Sequence, residues 1–223
     1  MPAFPLQTPI LHQRTRWPGL MLIHVYLWLL CLAGCSAGSS PISNERDYPP
    51  GTPANPERLA STMPDGADPQ AWWSASILSL VPAEVYPDAG IAREAGRLVE
   101  ATNRKRLAAG LNPVQVLPAL DKVAQAHAMD EAIRNYWNHM TPEGLGSSDR
   151  IRASGLGEVT AGAENSAVAR PKDSSVEQVV EKFSIHQGHR ELLFDPAVQY
   201  IGVGIYNYSR DEHVHYVQLL VSF

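Results

Sequence analysis

The C-terminal stretch "QYIGVGIYNYS" (199–209), followed after a short polar turn at 210–212 by "HVHYVQLLVSF" (213–223), decides the fold. Both stretches alternate in polarity and are rich in β-branched and aromatic side chains, which is typical of strands. Two such strands joined by a few polar residues are predicted to pair as an antiparallel hairpin. The segment "TAGAENSAVA" (160–169) is predicted to form a further strand.

The residues before the hairpin predict helices. The segment 88–110 places Ile91, Ala95 and Leu98 at helical spacing and reaches Gly110, where a helix would stop. Further helices are predicted from Pro118, in "SSDRIRASG" (147–155), and as one or two helices in "SSVEQVVEKFSIHQGHRELLF" (174–194). Helices around a small, largely antiparallel sheet define an α+β domain.

Composition and charge limit the class of protein. A chain of 223 residues with 44% hydrophobic and 18% charged residues fits one soluble domain with additional segments. The net charge of -5, with acidic and basic residues interspersed, provides no basic stripe for nucleic acid, so no nucleic-acid partner is expected. Cys31 and Cys35, the two cysteines, both lie near the N-terminus. Neither a disulfide framework nor a cysteine zinc site is therefore expected in the globular part.

The N-terminal stretch "RTRWPGLMLIHVYLWLLCLAGCSAGSS" (14–40) has the layout of a signal peptide. Arg14 and Arg16 precede an apolar run at 20–33. The run is short of the ~20 residues that a membrane-spanning helix needs. It is therefore interpreted as a secretion signal rather than a permanent anchor.

The stretch "LAGC" (32–35) resembles the lipobox of bacterial lipoproteins, in which the cysteine is acylated and becomes the first mature residue. The resemblance implies that residues 1–34 are a lipoprotein signal peptide and that Cys35 is lipidated and anchors the protein to a membrane. A plain secretory signal cleaved near Ala37 is the alternative. Ser36 favours the outer membrane over the inner membrane if the cell is Gram-negative.

The segment that follows separates the anchor from the domain. Residues 35–67 are rich in Pro, Ser, Gly and Asn with few large apolar side chains, a composition typical of a flexible tether. Residues 68–87 contain Trp72 and Trp73 and are predicted to be a docking segment with a short helix. The folded domain is predicted to occupy 88–223.

Six segments of the chain resemble one protein family when they are taken in order. They are "ATNRKRLAAGLNPVQVLPAL" (101–120), "AHAMDEAIRNYWNHMTPEG" (126–144), "DRIRASG" (149–155), "AENSA" (163–167), "GHRELLFDPAVQYIGVGIY" (188–206) and "HYVQLLVSF" (215–223). The chain resembles the CAP superfamily, also called the SCP domain, in its bacterial form. The resemblance implies an α-β-α sandwich, which agrees with the α+β pattern of the residues.

Family members share a cleft lined by two histidines and two acidic residues. On the motif match, His139 in "NHMTP", Glu164 in "AENSA" and His189 in "GHRE" are three of the four. The second glutamate of eukaryotic members is missing, because this chain reads Ser-Ile-His at 184–186 and Glu181 lies one turn too early. His186 is therefore a further cleft candidate, in the place of the missing acid.

The residue types of this cleft permit two kinds of chemistry. His139, His189 and Glu164 could ligate a divalent ion such as zinc, since two His and one Glu with an open fourth position are a known zinc arrangement. The same groups could instead form a hydrogen-bonded cluster, and no "HExxH" pair presets a metal site. A His and Glu pair could also act as a general base, with Ser166 or Ser184 the nearest nucleophile in sequence.

The other candidate side chains have mainly structural interpretations. His127 lies on the apolar stripe of a helix and is expected to be buried in or near the core. His213 and His215 share one strand face and could chelate a metal, but they adjoin a turn expected to face solvent. Asn103 and Arg106 are expected to have structural hydrogen-bonding roles.

Two functions from different classes follow. The first is a non-enzymatic binding module, displayed outside the cytoplasm by a lipid anchor, whose cleft binds a lipid, a cell-wall fragment or a protein partner. The second is a metal-assisted hydrolase that acts on envelope peptide or glycan. The family resemblance favours the binding module. The "LAGC" stretch and Ser36 predict that it is lipid-anchored to the outer membrane, facing the periplasm or the cell surface.

Overall fold

The structure is a computed structural model that describes residues 63–170, 174–207 and 213–223. The helices in these residues are α1 (Pro69–Ser76), α2 (Ala89–Ala108), α3 (Pro118–Arg134), α4 (Ser147–Ala153), α5 (Val176–Ile185) and α6 (Gln187–Leu193). One turn of 3₁₀ helix, Leu78–Leu80, follows α1. The strands are β1 (Gln115–Val116), β2 (Ala161–Ala169), β3 (Tyr200–Asn207) and β4 (Val214–Ser222).

Three of the described helices, α1, α2 and α5, begin at residues whose side chains cap them. The Asp68 carboxylate accepts from the third residue of α1, and the Asp88 carboxylate accepts from the second and third residues of α2. Ser175 and Gln178 form a reciprocal capping box at the start of α5. His186, in an extended conformation, separates α5 from α6. The segment predicted as one or two helices therefore forms two.

The sheet has the strand order β1-β3-β4-β2. β3 pairs antiparallel with β4, as predicted for the C-terminal hairpin, and β4 pairs antiparallel with β2, the further strand predicted from "TAGAENSAVA". The two-residue β1 is the parallel member, beside β3. The predicted turn at 210–212 lies outside the described residues.

Helices pack on both faces of the sheet, which confirms the α+β sandwich. β4 is buried along its whole length, and its alternate side chains enter two separate hydrophobic clusters. Tyr216 and Leu220 join the cluster formed with α2, α5 and α6. Val217 and Leu219 join the cluster formed with α1 and α3.

α3 lies directly against β3 because two glycines remove the side chains between them. A Cβ atom on Gly202 would lie 2.5 Å from the carbonyl carbon of Leu120, and one on Gly204 would lie 2.2 Å from the carbonyl oxygen of Ala124. Real side chains do not tolerate such distances to backbone. The "GVG" of the hairpin therefore sets how closely the helix approaches the sheet.

Side chains bind the edge of β3 beyond the short β1. The backbone N–H of Val203 donates to Asp121 (2.8 Å), and its carbonyl accepts from the Tyr86 hydroxyl. The Gln125 side chain accepts from the N–H of Ile205 (2.8 Å) and donates to its carbonyl (3.0 Å). Buried backbone groups need such partners. α3 thus continues the hydrogen bonding of the sheet where β1 ends.

The predicted docking segment carries a helix that enters the core. Trp73 of α1 is fully buried, and Ile77 and Val81, which follow the helix, are nearly so. All three belong to the cluster on the α3 face. The boundary predicted at residue 88 therefore falls after side chains that the core already contains.

Asn103 and Arg106 have the structural roles that the sequence predicts. The Asn103 amide binds both backbone groups of Val114, at 2.8 and 3.1 Å. The fully buried Arg106 donates to several backbone carbonyls, including those of Asn112 and Leu193. These bonds fix the connection after α2.

The predicted signal peptide, the predicted lipidation site Cys35 and most of the predicted tether lie outside the described residues, so these assignments stay predictions. None of the helices in the described part of the chain is long and apolar enough to cross a membrane.

We expect Gly204→Ala to lower the free energy of unfolding by about 1–3 kcal/mol, because the added methyl group must push α3 away from β3. Urea unfolding followed by circular dichroism measures this change. Gly96→Ala is the matched control, since no atom lies within 4 Å of its added Cβ in the middle of α2. It should raise the stability by about 0.5–1 kcal/mol. Equal effects of the two substitutions would contradict the close contact.

Candidate functional site

His139 lies in the segment that follows α3 and is the exposed member of the site. The left-handed conformation of Asn135 (φ 58°) ends the helix and turns the chain toward β2. The His139 side chain is 54% exposed, and its Nδ1 lies 2.9 Å from Oε1 of Glu164. One edge of the imidazole therefore faces a buried carboxylate while much of the ring stays accessible.

A buried arginine fixes both His139 and Glu164. Glu164 is on β2, and its side chain is 2% exposed. Arg150 of α4 is fully buried and forms an ion pair with Oε2 of Glu164. The same guanidinium donates to the carbonyls of His139 (2.9 Å) and Leu145 (2.8 Å). The sequence alone does not single out Arg150, because an arginine on a short helix usually faces solvent.

The ion pair with Arg150 favours the ionised form of Glu164. Burial alone would raise the pKa of Glu164, but the charge of Arg150 and the hydrogen bond with His139 lower this pKa from 4.5 to about 2. An ionised carboxylate can only accept, so Nδ1 of His139 carries the proton that Glu164 binds. With Nδ1–H donating to Glu164, Nε2 of a neutral His139 is left as an acceptor.

Two buried side chains of α3 hold the peptide before His139. Nε2 of His127 donates to the carbonyl of Asn138 (3.1 Å), and the N–H of Asn138 donates to Oε1 of Glu131 (3.3 Å). Nδ1 of His215, on β4, lies 3.2 Å from Oε2 of Glu131. His127 is fully buried, as predicted. Glu131 was missed as a site residue, although its spacing of four from His127 places both on one helix face.

Burial in this second cluster favours the neutral form of each side chain. Burial, then the charge of Arg150, lowers the pKa of His127 from 6.5 to about 3, and burial lowers the pKa of His215 to about 3. Burial and the charge of Glu164 raise the pKa of Glu131 well above 4.5. The surroundings of Glu131 therefore favour its protonated form, whereas those of Glu164 favour the ionised form.

His189, at the start of α6, approaches His139 from another element. The two imidazole centroids are 6.2 Å apart in an edge-to-face arrangement, and Phe183 packs against His189 at 5.2 Å. Nδ1 of His189 is buried and has no hydrogen-bond partner among the described residues. Burial, and then the charges of His139 and His186, lower the pKa of His189. The structure thus brings together His139, Glu164 and His189 from three elements.

His186 extends this row of imidazoles. Its exposed ring lies 6.3 Å from that of His189, again edge to face. Glu181 does not supply the missing second acid, because it pairs with Lys105 on the surface. His186 is therefore adjacent to the cleft, as the sequence suggested.

The predicted metal-ligand set does not fit a metal ion as these side chains are placed. Both oxygens of Glu164 are already bonded, one by His139 and one by Arg150. Within residues 63–170, 174–207 and 213–223, no group of three or more His, Cys, Asp or Glu side chains is positioned to hold an ion. The His213 and His215 pair is not an exposed chelating face either, because His215 is fully buried against Glu131.

The two predicted nucleophiles have other partners. The Ser166 hydroxyl accepts from the Trp137 indole (2.6 Å), and the Ser184 hydroxyl donates to the Glu181 carbonyl (2.7 Å). In the described part of the chain, neither hydroxyl hydrogen-bonds a histidine. The structure therefore does not assemble a Ser–His–Glu triad at this cleft.

Comparison with known proteins identifies the class of protein that this fold and cleft define. Residues 99–220, more than half of the chain, match the family model of CAP, the cysteine-rich secretory protein family. The chain therefore belongs to this family, as the motifs predicted.

Individual proteins are also similar to this chain in sequence or in structure. The uncharacterized protein YkwD of Bacillus subtilis (strain 168) is 34% identical over 108 residues, which are 48% of this chain and 40% of that protein. An extracellular protein containing an SCP domain from Bacillus anthracis has a similar structure, with TM-score 0.51 and 20% identity over 59% of this chain and 41% of its own. An outer surface protein of Borrelia burgdorferi gives TM-score 0.50 and 18% identity over 58% of this chain and 92% of its own.

The chain thus spans about two fifths of the curated relative and of the Bacillus anthracis chain. The similarity to the Bacillus anthracis and Borrelia burgdorferi structures shows the fold of this chain.

We expect Glu164→Gln to lower the free energy of unfolding by about 3–5 kcal/mol at pH 7, because it leaves the buried Arg150 charge without a counter-ion. The folded-state pKa of Glu164 lies below its ordinary value, so its stabilisation is complete above pH 4.5 and is lost as the pH falls toward 2. Urea unfolding of both proteins between pH 7 and pH 3 should therefore show the difference shrinking with falling pH.

Glu131→Gln is the matched control, since it changes the other buried glutamate. Its pKa is raised, so Glu131 lowers the stability of the protein as the pH rises above 4.5, and glutamine removes this effect. The variant should be at least as stable as the parent at pH 7. A large loss of stability in Glu131→Gln, or none in Glu164→Gln, would contradict the assigned charges.

Proposed function

We propose that this chain is an extracytoplasmic binding protein, tethered to a membrane, whose cleft at His139 and His189 captures an amphipathic molecule of the cell envelope. The observation that carries the proposal is the saturation of Glu164 by His139 and Arg150. The carboxylate is used inside the protein to orient the imidazole. The cleft therefore presents hydrogen-bonding nitrogen atoms rather than a free acid.

The polar part of the ligand would bind to the two imidazoles. With Nδ1–H of His139 donated to Glu164, Nε2 of a neutral His139 accepts from a hydroxyl or amide of the ligand, and the half-buried His189 ring lies beside it. Such groups discriminate strongly between ligands, since leaving one unpaired costs free energy.

Apolar side chains adjoin these groups in sequence. Met140 follows His139 and is 46% exposed, while Ile185 precedes His186 and is 64% exposed. Large apolar side chains held in water next to polar groups are common features of binding sites. They support a ligand with an apolar portion, of which a membrane lipid is the simplest case.

A hydrolase is the second candidate, and one observation favours it. An exposed imidazole whose Nδ1 is held by a buried carboxylate is the arrangement of a general base with its orienting partner. Because Ser166 and Ser184 are engaged elsewhere, the base would have to activate water. This reaction would proceed without a resident metal on the residues as they are placed.

The proposed location rests on the sequence and on relatives. The stretch "LAGC" behind an apolar run with preceding arginines is typical of exported lipoproteins. The relatives with similar structures are described as an extracellular protein and an outer surface protein. These observations support export and an outer-membrane lipid anchor for this chain.

We expect the protein without residues 1–35 to bind a long-chain fatty acid such as palmitate in calorimetric titration. His139→Ala and His189→Ala should each weaken binding roughly fivefold, since one hydrogen bond contributes ~1 kcal/mol. Met140→Ser should weaken it as well, whereas Leu107→Ser, an exposed apolar residue of α2, is the matched control without effect.

Three further titrations separate the alternatives. Binding of muramyl peptides but not palmitate would identify a cell-wall ligand, and release of products from them would favour the hydrolase. Stoichiometric zinc binding that is lost in His139→Ala would restore the metal site. Palmitate binding that survives both histidine substitutions would contradict the proposed cleft.

We expect Cys35→Ser to release the protein from membranes, because the thiol is the proposed site of acylation. Fractionation of cells into membrane and soluble material, with metabolic labelling by palmitate, measures this. Cys31→Ser is the control, since that residue would be removed with the signal peptide. Membrane retention of Cys35→Ser through the apolar run at 20–33 would contradict the lipoprotein assignment.

A further inference from the structure

Helix α1 lies outside the residues that match the family, 99–220, yet it contacts the segment that carries His139. The guanidinium carbon of Arg134 lies 5.2 Å from the centre of the Trp72 ring. At this distance a cation and an aromatic face attract each other. Trp72 of α1 therefore binds the last residue of α3.

Arg134 joins the two ends of the His139 segment. Its guanidinium forms ion pairs with Asp130, on the last turns of α3, and with Glu143, beyond His139. The Tyr136 ring packs against the same guanidinium at 5.5 Å, and the Tyr136 hydroxyl donates to Asp130 (2.6 Å). The chain from 135 to 143 is thus a loop closed by Arg134, with His139 at its middle.

A second contact leads from α1 to the cleft through α4. The Ser74 hydroxyl donates to the carbonyl of Ala153, the last residue of α4 (2.7 Å). α4 also carries Arg150, which binds Glu164 and the carbonyl of His139. α1 therefore contacts two parts of the protein that hold His139. One is Arg134, which closes the loop 135–143, and the other is α4, which carries Arg150.

We propose that α1 is a positioning element of the cleft and that Trp72 transmits its effect by holding Arg134. The neighbouring Trp73 is fully buried and attaches α1 to the core, whereas Trp72 is half-buried and lies over the guanidinium. Trp72 also packs at the edge of the cluster that buries Trp73, so it joins the core to the Arg134 guanidinium. Loss of Trp72 loosens residues 135–145 and leaves the sheet intact.

The contacts of α1 also provide a means of regulating ligand binding, a consequence that rests on the proposed function of the cleft. α1 follows directly on the predicted tether, so a partner that binds or displaces α1 changes the order of the His139 segment and with it the affinity for the ligand. The positioning of the His139 segment by α1 does not require a ligand, so it can be tested separately from ligand binding.

Hydrogen exchange of the full chain, followed by mass spectrometry, tests the positioning. In Trp72→Leu, which keeps an apolar side chain but removes the aromatic face, peptides covering 135–145 should exchange roughly threefold to tenfold faster. Trp72→Phe keeps an aromatic face and should change their rate less than twofold. Peptides covering β4, residues 214–222, should exchange at the parent's rate in both variants.

Two outcomes overturn the proposal. Unchanged exchange at 135–145 in Trp72→Leu means that Trp72 does not hold the segment, and equal acceleration of all peptides means that it acts only on global stability. The imidazole Nδ1 proton of His139, detected by NMR through its bond to Glu164, is a second readout that Trp72→Leu should weaken and Trp72→Phe should preserve. Faster exchange at 135–145 with unchanged palmitate affinity would uphold the positioning and contradict its effect on ligand affinity, whereas absence of palmitate binding in the parent protein would contradict the proposed function alone.

Discussion

The close contact between α3 and β3 is the constraint on which the rest of the structure depends. Because Gly202 and Gly204 have no side chains, the backbone of α3 approaches β3 directly, and the short polar side chains of Asp121 and Gln125 reach its edge. A wider separation would remove the α3 partners of the Val203 N–H and of both backbone groups of Ile205, and buried groups without partners are costly. The helix is therefore fixed in distance and in register at the same time.

The position of α3 determines where the cleft can form. His127 and Glu131 follow Gln125 on the same helix, so the contact that fixes Gln125 on β3 also sets the direction of these side chains toward Asn138. His139 follows that peptide at once. Buried hydrogen bonds from α3 therefore hold the peptide next to the exposed His139. The direction of these bonds depends on the contact that Gln125 makes with β3. Preorganisation of this kind lowers the entropy lost when a ligand binds.

Much of the fold could be predicted from the sequence because its signals are local. The alternation in 199–223 predicts the hairpin, and Asp88 and Pro118 mark helix starts. The two-residue β1 carries no periodicity, so no local pattern could reveal it. The docking helix was predicted as an attachment, whereas the burial of Trp73 shows that the core includes it.

The candidate site was only partly predictable, because its chemistry depends on pairs distant in sequence. Motifs identified His139 and Glu164, but the partner that ionises Glu164 is Arg150, and nothing in "DRIRASG" distinguishes a buried arginine from an exposed one. The sequence likewise does not show that Glu131 is buried beside His127 and His215. Glu131 and Glu164 are both buried carboxyls, and only their three-dimensional neighbours raise the pKa of one and lower the pKa of the other.

The opposite pKa shifts of these two glutamates also bear on the proposed function of the cleft. A carboxylate that served as a metal ligand or as an external base would need an oxygen directed at the ligand. Glu164 directs one oxygen at Arg150 and the other at His139, so its negative charge reaches the surface only through the imidazole. The group presented to a ligand is then a rigid acceptor nitrogen beside exposed Met140. Such a surface is suited to recognition of a hydroxyl or amide next to an apolar chain.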